Sequence, residues 1–302
     1  MRYSSSRRAL LRAAACAPIA LAFKAHAAKD AHSRAALADL ATLEKTSGGR
    51  LGVYALDTGN GVEIRQRADE RFPLCSTFKL VLASAVLAKS VEAPHLMEQR
   101  IRYDASDLLD YAPTTRQHLS EGMTVAALCR ATVEWSDNTA ANLLIKMLGG
   151  PSAVTAYARS IGDHEFRLDR WETELNTAIP GDLRDTSTPA AMARTTRAVA
   201  LGDALPASQR QTLQTWLRNC QTGAKRIRAA VPAGWEVGEK TGTGHYGSTN
   251  DTGVIWPPSR KPIALAIYYT QQHADAKTRD DVVAAAARIV IDSFAKNSGR
   301  ST

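Results

Sequence analysis

The sequence predicts an α+β fold, in which an antiparallel sheet is flanked by helices and carries an inserted all-helical lobe. Two strand-like stretches lie near the start of the chain and three near its end, and the signals between them are mostly helical. Because a two-stranded hairpin is only marginally stable alone, strands from both ends should meet in one sheet. We expect an α/β lobe at about 29–71 and 221–302, and a helical lobe at about 72–220.

The first elements follow from local patterns. Residues 29–46 place apolar side chains, Leu40 among them, on one side of a helix. Arg50–Asp57 predicts a strand, Asp57–Gly61 a turn, and Val62–Arg67 a returning strand. A hairpin should therefore follow the first helix.

The middle of the chain has helical periodicity, and strand patterns return near its end. The predicted helices are 124–132, 139–148, one opened by Pro151, 187–201, 206–219 and, last, 278–296; the predicted late strands are 235–242, 252–257 and 262–270. We find no sequence repeat and no interdomain linker, so the functional site should lie in the cleft between the two lobes.

Residues 1–28 have the pattern of an export signal. Several arginines precede a short apolar run, and Ala25-His26-Ala27 resembles a cleavage site. Ser6–Arg12 also resembles a twin-arginine signal, and the choice between export routes stays open. We expect cleavage near Ala27 or Ala28 and a periplasmic location.

The positive charge of the chain is concentrated in this leader. The sequence has 38 Lys and Arg against 30 Asp and Glu, but the first 28 residues hold five of the basic residues and none of the acidic ones. The remainder carries a net charge of only +3, which argues against a nucleic-acid partner. No later stretch approaches the roughly 18 apolar residues of a membrane span, so no stable membrane association is expected.

Histidine and cysteine usage predicts no metal site. The seven histidines show neither H-x-H nor H-E-x-x-H spacing, which argues against a zinc enzyme. Cys75, Cys129 and Cys220 follow the leader, an odd number that permits one disulfide at most.

Ser76 and Lys79 form an S-x-x-K box at the start of residues 76–89, the most apolar helical stretch. They should share one helix face, about one turn apart. Ser76 could simply cap the helix, and Lys79 could extend its ammonium to the surface. A lysine at the mouth of a buried helix should instead have a lowered pKa, because desolvation disfavours its charge, and it could then activate the neighbouring hydroxyl.

Ser136-Asp137-Asn138 precedes a predicted helix. These residue types are the best helix caps, which is the simplest explanation for them. In an extended turn, however, residues two apart project the same way. Ser136 Oγ and the Asn138 amide could therefore both face a cleft while Asp137 holds the turn.

Lys240-Thr241-Gly242-Thr243-Gly244 lies on a predicted strand. A solvated strand face would explain these residues. The segment also combines a cation, two hydroxyls and glycines that let a ligand approach the backbone closely. It suits an anionic substrate whose carboxylate is held along the strand.

Arg170–Asp185 lacks a clean period and contains Pro-Gly, so it predicts a loop. Its 16 residues match the size of an Ω-loop, and we predict an Arg170–Asp185 ion pair at its neck. Glu172 could be an ordinary solvated carboxylate. Presented together with Asn176, it could instead hold and deprotonate one water molecule.

Together, these four boxes resemble those of the class A serine β-lactamases. S-x-x-K, S-D-N, E-x-x-L-N and K-T-G occur in that order at Ser76/Lys79, Ser136/Asp137/Asn138, Glu172/Leu175/Asn176 and Lys240/Thr241/Gly242. Any one box is a weak signal, whereas four in order with matching separations are highly specific. The resemblance covers essentially the whole chain after the leader and implies the fold shared by serine β-lactamases and D,D-peptidases.

The resemblance implies catalytic roles. Ser76 would attack the lactam carbonyl and form an acyl-enzyme, with Lys79 or Glu172 as the base, directly or through water. Ser136 would relay a proton to the lactam nitrogen, supported by Lys79 and Lys240. No metal or organic cofactor is implied, the substrates would be small β-lactams, and the family expectation is a monomer.

The resemblance also implies the binding residues. The oxyanion hole would be formed by the backbone N–H groups of Ser76 and Thr243. The implied substrate contacts are Asn138 for the acylamide, Lys240, Thr241, Gly242 and Thr243 for the carboxylate, and Asn176 with Glu172 for the deacylating water. Many members carry an arginine where this chain has Thr249, and Arg226 resembles the substitute arginine of some broad-spectrum members. Tyr111 resembles the aromatic gate of the cleft, although an ordinary half-buried tyrosine is an equal alternative.

Two family disulfides lack a partner here. Cys129 matches one half of a bridge whose other position is Ala83, and Cys75 matches one half of a carbapenemase bridge whose other position is Gly244. The second difference argues against efficient carbapenem hydrolysis. Thr243 and the Gly244-His245-Tyr246-Gly247 stretch favour penicillins plus cephalosporins over penicillins alone.

Two other functions share part of this pattern. A penicillin-binding D,D-peptidase uses S-x-x-K, S-D-N and K-T-G but lacks a pair such as Glu172 and Asn176, and it stays acylated by β-lactams. A β-lactam sensor domain also stays acylated, but it sits on a membrane span, whereas a cleavable leader is expected here. The sequence therefore favours hydrolysis with turnover.

Overall fold

The computed structural model describes residues 33–296, which form both strands and helices. In chain order the strands are β1 (Arg50–Asp57), β2 (Glu63–Gln66), β3 (Phe72–Pro73), β4 (Arg100–Ile101), β5 (Met123–Thr124), β6 (Thr186–Ser187), β7 (Glu236–Gly244), β8 (Ser248–Trp256) and β9 (Ile263–Thr270). The α-helices are α1 (33–47), α2 (Phe78–Glu92), α3 (Val125–Glu134), α4 (Asn138–Leu148), α5 (Pro151–Ser160), α6 (Pro189–Ala200), α7 (Ala207–Arg218), α8 (Ile227–Ala230) and α9 (Asp280–Lys296). The predicted leader at 1–28 lies outside the described residues.

Five strands form the main antiparallel sheet, in the order β2-β1-β9-β8-β7. β1 and β9 pair along their whole lengths, from Arg50 opposite Thr270 to Asp57 opposite Ile263. Strands from the two ends of the chain therefore lie side by side, as the marginal stability of an isolated hairpin requires. The predicted α+β fold is confirmed, and β7 is left as an edge strand of this sheet.

Helices cover both faces of the sheet and create two apolar cores. On one face α1, α8 and α9 pack their apolar sides, where Leu40, Ile227 and Phe294 are fully buried. The other face meets the larger core, to which α2 to α7 contribute. No helix within residues 33–296 has the length and apolarity that a membrane crossing requires.

Helix α2 lies inside the larger core. Eleven of its 15 residues are buried, Lys79 included. Its apolar residues leave no polar stripe, which is the pattern of a helix enclosed within a domain. Each fully buried leucine or valine in it stabilises the fold by about 1.5–3 kcal/mol. The helix therefore gives the S-x-x-K box a rigid support.

Strand β8 starts four residues earlier than predicted, at Ser248, and its first residues are polar but buried. Asn250 Nδ2 donates to Pro73 O at 2.8 Å, and Asp251 Oδ2 accepts from Ile227 N at 3.1 Å. A hydrophobic pattern misses such residues, because hydrogen bonds rather than apolar contacts compensate their burial.

Candidate active site

The S-x-x-K box lies where the chain enters α2. A single 3-10 turn, Cys75–Thr77, carries Ser76. The Thr77 hydroxyl donates to Leu74 O at 2.7 Å and shares a 2.9 Å hydrogen bond with Tyr268 Oη. The turn is thereby tied to β9, so the Ser76 backbone has little freedom to move.

Strand β7 runs unusually close to this turn. A Cβ on Gly242 would lie 2.8 Å from Leu74 O and 3.2 Å from Thr77 N. A side chain would therefore push the strand away, and glycine allows the close approach. The edge of β7 and the Ser76 turn form two sides of one cleft.

Asp137 holds the S-D-N turn from beneath. Its Oδ1 accepts from Ala140 N at 2.9 Å, which caps α4, and its Oδ2 accepts from Thr115 N at 2.9 Å. Ser136 and Asn138 both line the cleft. The structure thus has the arrangement expected from alternation, with the outer two residues facing the cleft and the middle one holding the turn.

Lys79 is fully buried, and its ammonium donates to three oxygens. Nζ lies 2.6 Å from Asn138 Oδ1, 2.8 Å from Ser136 O and 2.9 Å from Glu172 Oε1. Burial lowers the pKa of Lys79, and the Glu172 carboxylate opposes that shift. The predicted lowering is confirmed in direction.

Lys240 reaches the same serine from β7. Its Nζ donates to Ser136 Oγ and to Thr241 O, both at 2.9 Å. Desolvation, followed by the nearby charge of Lys79, lowers the pKa of Lys240 to about 7. Lys79 Nζ lies 3.5 Å from Ser136 Oγ, so this hydroxyl sits between two amines that can exchange protons with it.

The Arg170–Asp185 loop is closed by the ion pair predicted from sequence. Arg170 Nε lies 2.5 Å from Asp185 Oδ2. Asp185 Oδ1 also accepts from the backbone N–H groups of Asp169 and Arg170, at 2.7 and 2.9 Å. The predicted neck is confirmed, and its carboxylate is almost fully buried.

The loop brings Glu172 against the nucleophile candidate. Ser76 Oγ donates to Glu172 Oε1 at 3.4 Å, and Asn176 Nδ2 donates to Glu172 Oε2 at 2.5 Å. The Asn142 side chain holds the Glu172 backbone, donating to its C=O at 2.9 Å and accepting from its N–H at 3.0 Å. Asn176 Oδ1 is buried and has no hydrogen-bond partner within residues 33–296. An acceptor is therefore available beside Glu172.

Asp185→Asn is expected to lower the free energy of unfolding by about 3 kcal/mol, because it leaves Arg170 without its buried partner charge. Reversible thermal or urea unfolding measures the loss. Asp182→Asn is the matched control in the same loop, since Asp182 pairs with the half-exposed Arg184 at 2.8 Å and lies 3.9 Å from Arg170, and a change below about 1 kcal/mol is expected. Equal effects of the two changes would contradict the structural role of the neck.

Arg226 lies at the Thr243 end of the cleft. Its Nη2 donates to Thr243 Oγ1 and its Nη1 to Gly242 O, both at 2.8 Å, while Nε lies 2.7 Å from Asp280 Oδ1. The Thr249 hydroxyl is buried and donates to neighbouring backbone. Arg226 therefore brings the guanidinium that position 249 lacks.

The twelve residues to which the sequence assigns a catalytic or substrate-binding role all lie at one cleft of about 420 Å³. Those that line it are Ser76, Tyr111, Ser136, Asn138, Asn176, Arg226, Thr241 and Thr243. Lys79, Glu172 and Lys240 are buried behind this lining, and Gly242 belongs to the β7 wall.

Two polar residues of the site were missed by sequence reasoning. Thr222 lines the cleft, with its Oγ1 2.5 Å from Thr241 Oγ1. A threonine in an irregular segment carries no signal, and only the fold brings it to β7. Asn142 could have been found, because it lies one helical turn after Asn138 on the same face of α4.

Cys75 and Gly244 pack together beside the turn that carries Ser76. A Cβ on Gly244 would lie 2.6 Å from Cys75 Sγ and 2.8 Å from Asn176 O. The Cys75 thiol is free, as are those of Cys129 and Cys220, and burial raises the pKa of Cys75 to about 12. Cys75 is therefore a protonated, space-filling residue at neutral pH.

The arrangement can carry out acyl transfer at a serine hydroxyl. It combines a nucleophile, a carboxylate within hydrogen-bond reach, two buried amines and an arginine for an anionic group. Within residues 33–296, no group of three or more His, Cys, Asp or Glu side chains is placed to hold a metal ion.

Known proteins resemble this chain over most of its length. The sequence model of the β-lactamase enzyme family matches residues 34–294. The carbapenem-hydrolyzing β-lactamase KPC of Klebsiella oxytoca is 53% identical over 258 residues, which cover 85% of this chain and 88% of that protein. The β-lactamase OXY-2 of the same organism is 51% identical over 290 residues, covering 95% of this chain and 98% of that protein.

A solved structure also resembles this chain. The crystal structure of a β-lactamase from Desulfarculus baarsii superimposes with a TM-score of 0.86 at 56% identity, and the match covers 87% of this chain and 98% of that chain. This structural match, the family match, the four sequence boxes and the cleft all indicate the same protein family. The chain belongs to the class A serine β-lactamases.

Proposed function

We propose that this protein hydrolyses the β-lactam ring of penicillins and cephalosporins through a serine acyl-enzyme, and so confers resistance to these antibiotics. The placement of Glu172 carries this proposal. Its carboxylate accepts from Ser76 Oγ at 3.4 Å and from Asn176 Nδ2 at 2.5 Å. A carboxylate at that point can act first on the nucleophile and later on a water molecule.

Glu172 is the base we favour for acylation. Lys79 Nζ already donates to three acceptors, which uses the three N–H groups of an ammonium and leaves no lone pair for Ser76. Glu172 Oε1 can take the hydroxyl proton as Ser76 Oγ attacks the lactam carbonyl carbon. Lys79 becomes the alternative base in any state in which it has given its proton away.

Negative charge on the lactam oxygen would be stabilised by the backbone N–H groups of Ser76 and Thr243. The close approach of β7 to the Ser76 turn at Gly242 supports this pairing. Removing one donor of such a hole typically costs about 10²–10³ in rate.

Ser136 would then deliver a proton to the lactam nitrogen as the C–N bond breaks. Its Oγ accepts from Lys240 Nζ at 2.9 Å and lies 3.5 Å from Lys79 Nζ. Lys79 would replace the proton of Ser136 and take one back from Glu172 Oε1, 2.9 Å away, so that Glu172 is a carboxylate again before deacylation. The same two lysines would keep the hydroxyl oriented towards the cleft.

The cleft lining would hold the substrate at both ends. We assign the acylamide side chain to Asn138 and the substrate carboxylate to the segment Lys240–Thr243 with Arg226. Tyr111, which is 48% exposed, would cover the open side as an aromatic gate. These contacts would keep the lactam carbonyl next to Ser76 Oγ.

Deacylation would use Glu172 and Asn176 together. Asn176 Oδ1 is buried without a partner among the described residues, so it can accept a hydrogen bond from water. Glu172 would take the other proton of that water as its oxygen attacks the ester, and would return this proton to Ser76 Oγ, 3.4 Å away, as the ester C–O bond breaks. Hydrolysis then frees Ser76 for another turnover.

The pH dependence of kcat/KM should reflect the titration of the Lys240 side chain. Its pKa of about 7 means that its positive charge is present below that pH and lost above it. We expect kcat/KM for an anionic β-lactam to decline as the pH rises through about 7, because the carboxylate loses a cationic partner. Lys240→Arg should abolish this alkaline decline, since arginine stays charged. An unchanged decline in Lys240→Arg would assign it to another group.

Arg226→Gln should raise KM for carboxylate-bearing β-lactams about tenfold or more, which is the usual effect of losing a hydrogen bond to a charged group. The methyl ester of the same penicillin is the matched control substrate. The variant and the parent should handle the ester equally, because it has no carboxylate to lose. An equal loss on acid and ester would mean that Arg226 acts only by supporting β7.

We expect carbapenems to be the poorest substrates of this protein. KPC, a relative at 53% identity, is named as carbapenem-hydrolyzing. In this chain Cys75 is unbridged and position 244 is glycine. We therefore propose slow carbapenem turnover, to be measured beside the penicillin and cephalosporin rates.

We further propose that residues 1–28 are removed near Ala27 or Ala28 on export to the periplasm, and that the catalytic domain at 29–302 acts as a monomer. The cleft would lie between the α/β lobe and the helical lobe. Intact mass and light scattering of the protein recovered from the periplasm test these points. An uncleaved chain or a stable dimer would contradict them.

The experiment for the function itself compares substrates on the purified protein. We expect many turnovers of benzylpenicillin and of a chromogenic cephalosporin, and no cleavage of a D-Ala-D-Ala peptide. Expression in a susceptible bacterium should raise the inhibitory concentrations of both drugs. Peptide cleavage with stoichiometric β-lactam binding would instead identify a D,D-peptidase.

A further inference from the structure

We propose that this protein has a second binding site, for a phosphate group, in an arginine-lined cavity bordered by the Arg170–Asp185 loop. The cavity has a volume of about 520 Å³, against about 420 Å³ for the catalytic cleft, and the two share only Arg170's loop, not their lining residues. The tip of the loop at 178–184 forms one wall, and the start of β1 and the end of β9 form another. Binding there would depend on the fold and not on β-lactam hydrolysis.

The lining of this cavity is unusually rich in arginine. Five guanidinium side chains contribute to it, from Arg50, Arg67, Arg71, Arg170 and Arg184. Only two carboxylates line it, Glu44 and Asp182. Carboxylates just outside the lining, Glu70, Glu165 and Asp185, pair with Arg50, Arg71 and Arg170. An anion would therefore bind through the N–H groups that these ion pairs leave free and not through an excess of positive charge.

Ion pairs within the protein leave several of these donors unused. Arg50 pairs with Glu70 through Nε, and Arg67 uses Nε and Nη1 for Glu44 and Glu70. Arg184 uses Nε and Nη2 for Asp182. In the part of the chain that the structure describes, nothing accepts a hydrogen bond from Arg50 Nη1, Arg67 Nη2 or Arg184 Nη1. The carboxylates thus hold the guanidinium groups in place without using all of their N–H donors.

The origin of these arginines favours phosphate over carboxylate. Arg50 begins β1, Arg67 follows β2, and Arg184 belongs to the loop, so the donors come from three separate elements. A carboxylate presents two oxygens in one plane and matches one guanidinium, whereas a phosphate presents oxygens on several sides. Ile179 and Leu183, 48% and 55% exposed, also line the cavity, so the phosphate could belong to a lipid headgroup as well as to a free ion.

Phosphate binding in the cavity should affect the Arg170–Asp185 loop. Ala178 in the cavity wall is two residues from Asn176 in the catalytic cleft, and Asn176 O accepts from His245 N at 2.9 Å. Tyr246, the next residue, lines the cavity. A bound anion that bridges the loop to β1 should therefore slow amide exchange across 178–184.

Pyrophosphate is the probe for the first test, with ionic strength matched by sodium chloride. At a hundredfold excess over its Kd we expect the melting temperature to rise by about 5 °C. Arg67→Gln and Arg184→Gln should each weaken binding about tenfold or more, measured by calorimetry. Arg65→Gln is the matched control, because Arg65 is similarly exposed, also pairs with two carboxylates and lies outside the cavity.

The outcomes separate the explanations. Saturable binding that is lost in Arg67→Gln and Arg184→Gln but kept in Arg65→Gln supports the site, and reduced amide exchange at 178–184 locates it. Absence of binding, or an equal loss in Arg65→Gln, overturns it. Co-sedimentation with phosphatidylglycerol vesicles but not phosphatidylcholine vesicles, again lost in Arg67→Gln, would identify a lipid as the source, whereas pyrophosphate binding alone would identify a free phosphate.

Discussion

Glu172→Gln is expected to react with β-lactams and then to remain acylated, with deacylation slowed about 10²–10⁴-fold. The amide cannot take a proton from water, although it can keep a contact with Asn176. Acylation should survive, because removing the negative charge beside buried Lys79 lowers its pKa further and frees an amine to activate Ser76.

Mass spectrometry of Glu172→Gln with benzylpenicillin measures the adduct directly. Full and persistent occupancy is expected, together with a burst of one equivalent in the absorbance trace. Glu174→Gln is the matched control, since Glu174 is an exposed carboxylate in the same loop, and it should turn over normally. Unchanged turnover in Glu172→Gln would remove Glu172 from deacylation.

Ser76→Ala is expected to abolish covalent labelling and to reduce hydrolysis about a million-fold, the loss typical of removing a nucleophile from an assembled catalytic unit. The fold should tolerate the change, because the Ser76 hydroxyl makes only a long 3.4 Å hydrogen bond to Glu172. The variant should still bind β-lactams without forming a covalent bond. This binding can be measured from its competition with the parent protein for a chromogenic substrate.

Ser90→Ala is the control for Ser76→Ala. Ser90 lies near the other end of α2 and donates to Leu87 O at 2.6 Å, far along the helix from the cleft. This variant should be labelled and should hydrolyse β-lactams like the parent. Stoichiometric labelling of Ser76→Ala would show that another residue is the nucleophile.

The catalytic residues were predictable because each carries chemistry within a short sequence box. Ser76 and Lys79 are three residues apart on one helix, and local geometry alone puts them together. The Arg170–Asp185 neck was predictable for a similar reason, since the loop between the two residues has the size that an ion pair can close. In both cases the partners are close in sequence.

What sequence reasoning missed depends on contacts between distant segments. Glu239 on β7 and Asp251 on β8 form a buried carboxyl pair, and desolvation raises the pKa of both. Each residue alone resembles a solvated acid, and only the register of two strands brings them together. Thr222 beside Thr241 is a second example. Patterns of polarity along one segment cannot report such pairs.

A β-lactamase differs from a D,D-peptidase in that acylation is followed by hydrolysis, and both steps can be followed in one mixture. The parent protein is mixed with a large excess of a chromogenic cephalosporin, and absorbance and intact mass are recorded on the same samples over time. We expect all of the substrate to be consumed while the adduct stays a small fraction of the protein and disappears at the end. Consumption of one equivalent followed by a permanent adduct would contradict the assigned role of Glu172.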